Sequence, residues 1–343
     1  MKKQIKRVFF SLLVFPLIIM QANAAVKTYT LKIADSYPPS HPTRKVAEHF
    51  MKTASELSNG RLKFKYYPAQ QLGKLPDMLK ICQQGLADIT YIGVSYLSGQ
   101  FPMNTVVELP YWNTANEGTS IYIEMLKHSS ELSKEWEKNG VFPLAVATTS
   151  QYEVVTKNQS LQKVDDLQGL RLHSSGWLFE MIAKRYGIVP ITLSINETYE
   201  ALQRDILDGT ISTYPTVKGY RLNDITNHYT CGLQMGGFIG AYAINKRVYQ
   251  RLPTDLQKVL LQAGRKSSMN FTVMWDKLDS ILLKSFTKAG GKVYQIDADK
   301  KTEWLAPLKG IEEEWITKHE KKGAPARKVF EQFKDIAQKI TRK

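Results

Sequence analysis

The residues that could carry out catalysis do not complete an enzyme motif in this sequence. Gly93-Val94-Ser95-Tyr96-Leu97 approaches the Gly-x-Ser-x-Gly nucleophile elbow, but a leucine stands where the second glycine permits the tight turn. The six histidines are scattered without the paired spacing of a metal site, and no Gly-x-Gly-x-x-Gly fingerprint follows a predicted strand. The sequence therefore predicts no enzyme, no bound metal and no cofactor, and an exported α/β hydrolase is only a minor alternative.

The two cysteines, Cys82 and Cys231, are the only other reactive side chains that need an interpretation. An oxidising compartment would allow them to pair. They lie far apart in the sequence, however, and Cys82 falls inside a predicted helix, where a buried thiol usually acts as a small apolar group. A disulfide is the less favoured alternative.

The N-terminus has the pattern of a secretory signal peptide. It begins with a basic region made of Lys2, Lys3, Lys6 and Arg7. An apolar run over 8–20 and the small-x-small pattern Ala22-Asn23-Ala24 follow, which predicts a signal peptide over 1–24 and a mature start at Ala25. The apolar run of about 13 residues is shorter than the roughly 20 residues that span a bilayer. We therefore expect a periplasmic protein that is not embedded in the membrane.

Length and charge limit the class of protein further. Removing residues 1–24, which carry four positive charges and no acid, leaves 319 residues with a formal charge of +11. A chain of that length is about twice a typical domain, which predicts two lobes. The basic residues are spread along the chain without a nucleic-acid-binding module, so we do not expect nucleic acid as a partner. The charge favours solubility and weak attraction to acidic surfaces.

Strand and helix patterns alternate along the chain and predict an α/β fold. In the first half, β-α-β units predict parallel strands joined by right-handed crossovers; the predicted elements are a strand over 29–34, a helix over 43–58, a strand over 62–66, a helix over 75–84 and a strand over 88–93. The second half repeats this order with a strand over 170–173, a helix over 177–186 and a strand over 189–193.

Two long extended segments and one long helix are expected to join the two lobes. The extended segments cover 141–157 and 238–245, and the helix runs from Thr254 to Gly290-Gly291, with a possible break at Gly264. Chain that passes twice between lobes can form a hinge, and the cleft beside it is where ligands bind in open α/β sheets. We assign the lobes as follows: lobe I, 25–150 plus 238–278; lobe II, 151–237 plus 279–343.

Seven short segments carry a family resemblance, in the order in which the family has them: 33–42 (IADSYPPSHP), 67–73 (YPAQQLG), 84–89 (QGLADI), 166–172 (DLQGLRL), 197–203 (ETYEALQ), 207–209 (LDG) and 252–259 (LPTDLQKV). With them the sequence resembles the DctP-type solute-binding proteins of tripartite ATP-independent periplasmic (TRAP) transporters. The resemblance implies a two-lobe periplasmic-binding-protein fold with hinge strands and a long bracing helix. It also implies that a small organic ligand is held between the lobes and delivered to separate TRAP membrane permease subunits.

The resemblance also shows where the pocket of this chain departs from its relatives. Many members clamp a ligand carboxylate with an arginine at the position that His173 occupies, and Tyr152 aligns with a second family arginine. Arg171 lies two residues before His173, and we expect it to make a salt bridge instead of a ligand contact. Histidine is mostly neutral at pH 7 and offers one directed donor, whereas arginine offers a charged, bidentate fork. A tightly held dicarboxylate is therefore not expected.

Two ligand classes remain open at this point. One is a monocarboxylate held by His173 with tyrosine and backbone donors, and the other is a neutral, polar or partly aromatic molecule. The predicted ligand contacts are His173, Tyr152, Tyr214, Ser36, Tyr37, Tyr91 and Trp177. A periplasmic sensor could use the same cleft for signalling; neighbouring permease genes would favour transport, and a neighbouring sensor kinase would favour sensing.

Overall fold

The computed structural model describes residues 27–342. The predicted signal peptide and its cleavage site near Ala24 lie outside the described residues. Within 27–342 the chain folds into two β-sheets flanked by helices, which confirms the two-lobe α/β prediction. We call the first sheet with its helices lobe I and the second sheet with its helices lobe II.

The strands, in chain order, are β1 Tyr29–Ala34, β2 Leu62–Tyr67, β3 Ile89–Gly93, β4 Val141–Thr148, β5 Glu153–Thr156, β6 Arg171–Ser174, β7 Val189–Thr192, β8 Gly209–Ser212, β9 His228–Cys231, β10 Ile239–Asn245 and β11 Lys292–Gln295. The helices are α1 Arg44–Leu57, α2 Met78–Gln83, α3 Ala115–His128, α4 Ser130–Lys138, α5 Trp177–Arg185, α6 Thr198–Gln203, α7 Tyr214–Gly219, α8 Lys246–Arg251, α9 Thr254–Lys288, α10 Ala298–Leu305, α11 Ile311–Glu320 and α12 Ala326–Thr341.

The first sheet has the strand order β2-β1-β3-β10-β4. β1 runs parallel to both β2 and β3, as the β-α-β pattern predicts, whereas β10 lies antiparallel between β3 and β4. Every residue of β3 and β10 is buried, because helices cover both faces of the sheet centre. The carboxyl ends of β1 and β3 face the second lobe.

The second sheet has the order β11-β9-β5-β8-β6-β7. β6 pairs in parallel with β7 and β8, and β5 lies antiparallel to β8 and β9. Arg171, at the start of β6, forms a two-point ion pair with Asp208, in which Nε lies 3.1 Å from Oδ2 and Nη2 lies 2.7 Å from Oδ1. The expected salt-bridge role of Arg171 is confirmed.

Two neighbouring crossover segments connect the sheets. The chain passes from β4 to β5 through residues 149–152 and returns from β9 to β10 through residues 232–238. The segments are hydrogen-bonded to each other, with Thr149 N donating to Phe238 O (3.0 Å) and Tyr152 N donating to Gly236 O (2.7 Å). The buried carboxylate of Glu153 accepts from Gly232 N at 2.8 Å and so fixes the start of the return segment. The first crossing lies inside the predicted segment 141–157. The second lies just before the predicted segment 238–245, most of which forms β10 in the first sheet.

The long helix α9 braces both lobes. Its 35 residues form one continuous helix, about 52 Å long at 1.5 Å per residue, so the possible break at Gly264 does not occur. A side chain at Gly264 would collide with the carbonyl oxygen of Leu144, so glycine lets α9 lie directly on β4. Near its middle, Asp276 accepts from the N-terminal amides of α3, including Ala115 N at 2.7 Å.

The C-terminal helices pack against lobe I as well as lobe II. α12 lies on α3, and Trp315 Nε1 of α11 donates to Thr105 Oγ1 at 2.9 Å. Arg185 of α5 pairs with Glu314 of α11 at 2.8 Å. The predicted residue bounds of the lobes stay a prediction, and we infer from these contacts that α12 belongs with lobe I.

Two further sequence expectations concern the thiols and the membrane. Cys82 is buried on α2 beside the first sheet and Cys231 ends β9 in the second sheet, and both thiols are free. Across residues 27–342, no helix is both long and apolar enough to cross a membrane.

Candidate functional site

A small cavity lies between the two sheets, beside the hinge. Its wall holds five tyrosines, two histidines, two phenylalanines and Trp275, together with the hydroxyl side chains of Thr43, Thr148, Thr149, Ser175, Ser212 and Thr216. None of the described residues that line it is a lysine, arginine, aspartate or glutamate. The cavity volume is about 30 Å³, well below the roughly 150 Å³ of an engineered apolar cavity that binds benzene. The surrounding rings therefore almost meet, and the cleft is closed.

Contacts across the cleft hold this closed arrangement. Ser40 Oγ in lobe I donates to Gly219 O at the end of α7 (2.6 Å). Lys74 Nζ pairs with Glu197 Oε1 at 2.7 Å, with both side chains about half exposed. An exposed pair of that kind contributes about 0–1 kcal/mol. The Lys74–Glu197 pair therefore adds little to the stability of the closed form.

His173 lines the cavity, but its ring nitrogens already have protein partners. Nε2 lies 3.1 Å from the carbonyl oxygen of Leu193, and Nδ1 lies 3.1 Å from Thr210 Oγ1. A carbonyl only accepts, so Nε2 carries the hydrogen and the Thr210 hydroxyl donates to Nδ1. Burial lowers the pKa of His173 to about 4, so the ring is neutral at pH 7. Its role as a ligand contact stays a prediction.

Three of the predicted tyrosines also line the cavity. Tyr152 stacks on the ring of Phe179, with centroids 4.6 Å apart. Tyr37 lies edge-on to Tyr91 at 5.0 Å and stacks on His41 at 4.4 Å. Aromatic pairs with these geometries are favourable and leave the rings little freedom to turn.

The buried carboxyl group of Asp35 is hydrogen-bonded to three tyrosines next to the cavity. It accepts from Tyr66 Oη at 2.6 Å, Tyr242 Oη at 2.7 Å and the backbone N of Tyr37 at 3.0 Å. Burial raises the pKa of Asp35, and these hydrogen bonds oppose the rise. The carboxyl group holds the loop after β1 in the position that points Tyr37 at the cavity.

The structure places the other three predicted contacts outside the cavity lining. Tyr214 directs its hydroxyl to Thr230 O (2.5 Å) and packs toward α9, because it lies on the opposite face of α7 from Thr216. Ser36 is fully buried, and its carbonyl oxygen accepts from Asn196. Trp177 packs under Lys318, whose Nζ lies 3.2 Å from the ring centroid on the outer side of α5.

Sequence reasoning missed several lining residues, chiefly His41, Tyr96, Tyr220 and Trp275. His41 lies inside the first family segment, four residues after Tyr37. The proline-rich loop that contains both residues is the feature of the sequence that could have indicated it as a lining residue. Tyr220 lies six residues after Tyr214, on the side of α7 that faces lobe I. Trp275 is buried on α9. Its position in the sequence could not indicate a lining residue, because the face of α9 that lies over the cleft depends on tertiary packing.

Comparisons with known proteins agree with the two-lobe fold. The family described as "DctP: Bacterial extracellular solute-binding protein, family 7" matches residues 33–318. A solute-binding protein of Albidiferax ferrireducens is 23% identical over 318 residues, covering 82% of this chain and 87% of its own. The C4-dicarboxylate-binding periplasmic protein DctP of Rhodobacter capsulatus is 24% identical, with coverage of 86% and 89%.

Two solved structures share the fold over almost the whole chain. A TRAP solute-binding protein from Rhodoferax ferrireducens, in complex with copurified benzoate, superposes with a TM-score of 0.85 at 22% identity, covering 92% of this chain and 99% of the other. A marine metagenome TRAP solute-binding protein specific for aromatic acid ligands, in complex with 3-hydroxybenzoate, gives a TM-score of 0.84 at 22% identity, with the same coverage.

Proposed function

The chain belongs to the bacterial extracellular solute-binding proteins of family 7, and from that membership we propose that it binds a small aromatic monocarboxylate between its lobes. The observation that carries the ligand class is the cavity wall, which is rich in aromatic rings and hydroxyl groups and has no charged side chain among its described residues. Aromatic walls favour a flat ring, and hydroxyl donors suit a single polar head group.

The described lining of the cavity contains no arginine, which favours one carboxylate over two. A buried carboxylate needs strong donors, and each further charge adds a desolvation penalty that neutral hydroxyl groups offset only in part. One carboxylate can be shared among several hydroxyl and imidazole donors, whereas a dicarboxylate would leave a second charge poorly compensated. The benzoate and 3-hydroxybenzoate complexes of the two similar structures support the same ligand class.

Capture requires the lobes to move. A cavity of about 30 Å³ is too small for a benzene ring, so the ligand enters while the cleft is open, and the hinge then closes around it less far than in this structure. Closure is favoured by the contacts that the ligand makes with both lobes at once. The closed form is the shape that the TRAP permease subunits recognise, and the ligand leaves chemically unchanged. The predicted signal peptide supports the periplasm as the location of this cycle.

The protein purified from the periplasm should be stabilised selectively by aromatic monocarboxylates. We expect benzoate, 3-hydroxybenzoate and mandelate to raise the thermal midpoint, because a ligand that binds only the folded state stabilises it. Succinate should have no effect, and benzamide, which keeps the ring without the charge, should bind more weakly than benzoate. Thermal shift followed by calorimetry measures this. Stabilisation by succinate, with none by the aromatic acids, would refute the proposed ligand class.

A further inference from the structure

Two buried polar atoms in the cavity wall have no hydrogen-bond partner among the described residues. They are Nε2 of His41 and the hydroxyl oxygen of Tyr220. Both residues are at least nine-tenths buried, with exposed fractions of 3% and 9%. Buried polar groups are nearly always paired, so an unpaired one in a binding cavity indicates a partner that comes from outside the protein.

The hydrogen bond at the other ring nitrogen defines the tautomer of His41. The backbone N of Thr43 donates to Nδ1 at 3.2 Å, so Nδ1 carries no hydrogen. Burial lowers the pKa of this ring to about 3, so it stays neutral and its one hydrogen is on Nε2. The ring is held by Tyr37 on one face, and Trp275 lies 6.0 Å away. His41 therefore presents one N–H donor in a fixed direction.

Tyr220 contributes the second unpaired atom from the opposite lobe. It follows α7, which is connected to the second sheet through β8, and its ring centroid lies 5.1 Å from that of His41. His41 belongs to the loop after β1 in the first sheet. His173 differs from both of them because the protein already satisfies its two nitrogens. The unpaired donors of the closed cleft thus meet at the boundary between the lobes.

We propose that the Nε2–H of His41 and the hydroxyl of Tyr220 are the polar anchor of the ligand and donate to the oxygen atoms of its carboxylate. This rests on the proposed function, in that the cavity is the ligand site. An acceptor oxygen that binds both groups connects the two lobes, so the same two hydrogen bonds that recognise the head group also favour closure. His173 then acts by positioning the loop at Leu193, and it does not bind the carboxylate.

The test uses two substitutions: Tyr220→Phe removes only an unpaired atom, whereas His41→Phe also removes Nδ1, the acceptor of Thr43 N. His41→Phe keeps an aromatic ring in the stack, and Tyr220→Phe removes one hydroxyl. Each should weaken benzoate binding by about tenfold in calorimetry, the loss of one hydrogen bond. For Tyr220→Phe the thermal midpoint without ligand should stay the same or rise, because a buried group without a partner is removed. For His41→Phe it should fall, because the buried Thr43 N loses its acceptor. The controls are His128→Phe on the exposed end of α3 and Tyr199→Phe on α6, and both should leave benzoate affinity unchanged.

The outcomes separate this anchor from the proposed ligand class. If the unmodified protein binds benzoate and the two variants bind it equally well, the anchor is wrong and the ligand class stands. If the unmodified protein binds no aromatic acid, the ligand class fails, and the midpoint of Tyr220→Phe without ligand then decides on the anchor. A fall in that midpoint would mean that the hydroxyl already has a partner and would overturn the anchor. An unchanged or raised midpoint, with tenfold weaker binding of the best panel compound by both variants, would support it.

Discussion

Replacing Gly219 with alanine is expected to weaken benzoate binding by about 10- to 100-fold, the effect of overpacking a close contact by 1–3 kcal/mol. Gly219 ends α7 and lies against His41 of the opposite lobe. A Cβ atom there would lie 2.5 Å from His41 Cδ2 and 3.1 Å from its Cα. The ring of His41 is stacked on Tyr37 and cannot easily move away. The added methyl group would therefore clash with His41 and prevent the lobes from closing fully.

The backbone of Gly219 does not require glycine, because its φ lies outside the left-handed region. Alanine should therefore leave the fold of each lobe intact and affect only closure. Gly99→Ala is the matched control, since that glycine also has an ordinary φ and no heavy atom lies within 4 Å of the position of a Cβ. Calorimetry with benzoate should show a loss for Gly219→Ala alone. Equal affinities would mean that the ligand-bound cleft does not close at this contact.

Replacing Asp35 with alanine should lower the free energy of unfolding by about 3 kcal/mol, because it leaves two tyrosine hydroxyls without their acceptor. The carboxyl group is fully buried and accepts from Tyr66, Tyr242 and the backbone of Tyr37. The backbone of Tyr37 would lose its anchor, so the stack with His41 should loosen as well. Binding of benzoate should therefore weaken together with stability.

Urea unfolding of the Asp35→Ala protein measures the stability change. Asp35→Asn is the matched variant, because it keeps the volume and one acceptor oxygen while it removes a charge that burial already disfavours. We expect the asparagine protein to lose about half as much stability as the alanine protein. If the alanine protein unfolded at the same urea concentration as the unmodified one, the tyrosine cluster would not depend on this carboxyl group.

The fold could be predicted because its elements have local causes. Residues that are neighbours in the sequence determine several features of the fold. They are the apolar alternation of β2, the helical periodicity of α1 and the end of α9 before Gly290-Gly291. The extended segment 141–157 indicated one of the two crossings for the same reason, whereas most of 238–245 forms β10 within the first sheet. The packing of α12 on α3 could not be predicted, since it joins residues about 200 positions apart through contacts that no local pattern encodes.

The candidate site was only partly predictable, because position in a motif does not determine which hydrogen bonds a side chain makes. His173 occupies the family ligand position, yet Leu193 and Thr210 take up both of its nitrogens. Tyr214 lies outside the cavity lining, because Thr216, on the opposite face of α7, faces the cavity instead; its role as a ligand contact stays a prediction. The unpaired nitrogen of His41 depends on Thr43 and on the opposite lobe, and only the folded chain brings these groups together.

Small-angle X-ray scattering of the purified protein, with and without saturating benzoate, tests the hinge account most directly. The ligand-free protein should populate open forms, because the contacts across the cleft, such as Lys74 with Glu197, are weak. Benzoate should decrease the radius of gyration of the unmodified protein, and the decrease should be smaller for Gly219→Ala. Identical profiles with and without bound benzoate would contradict closure of the two lobes on the ligand.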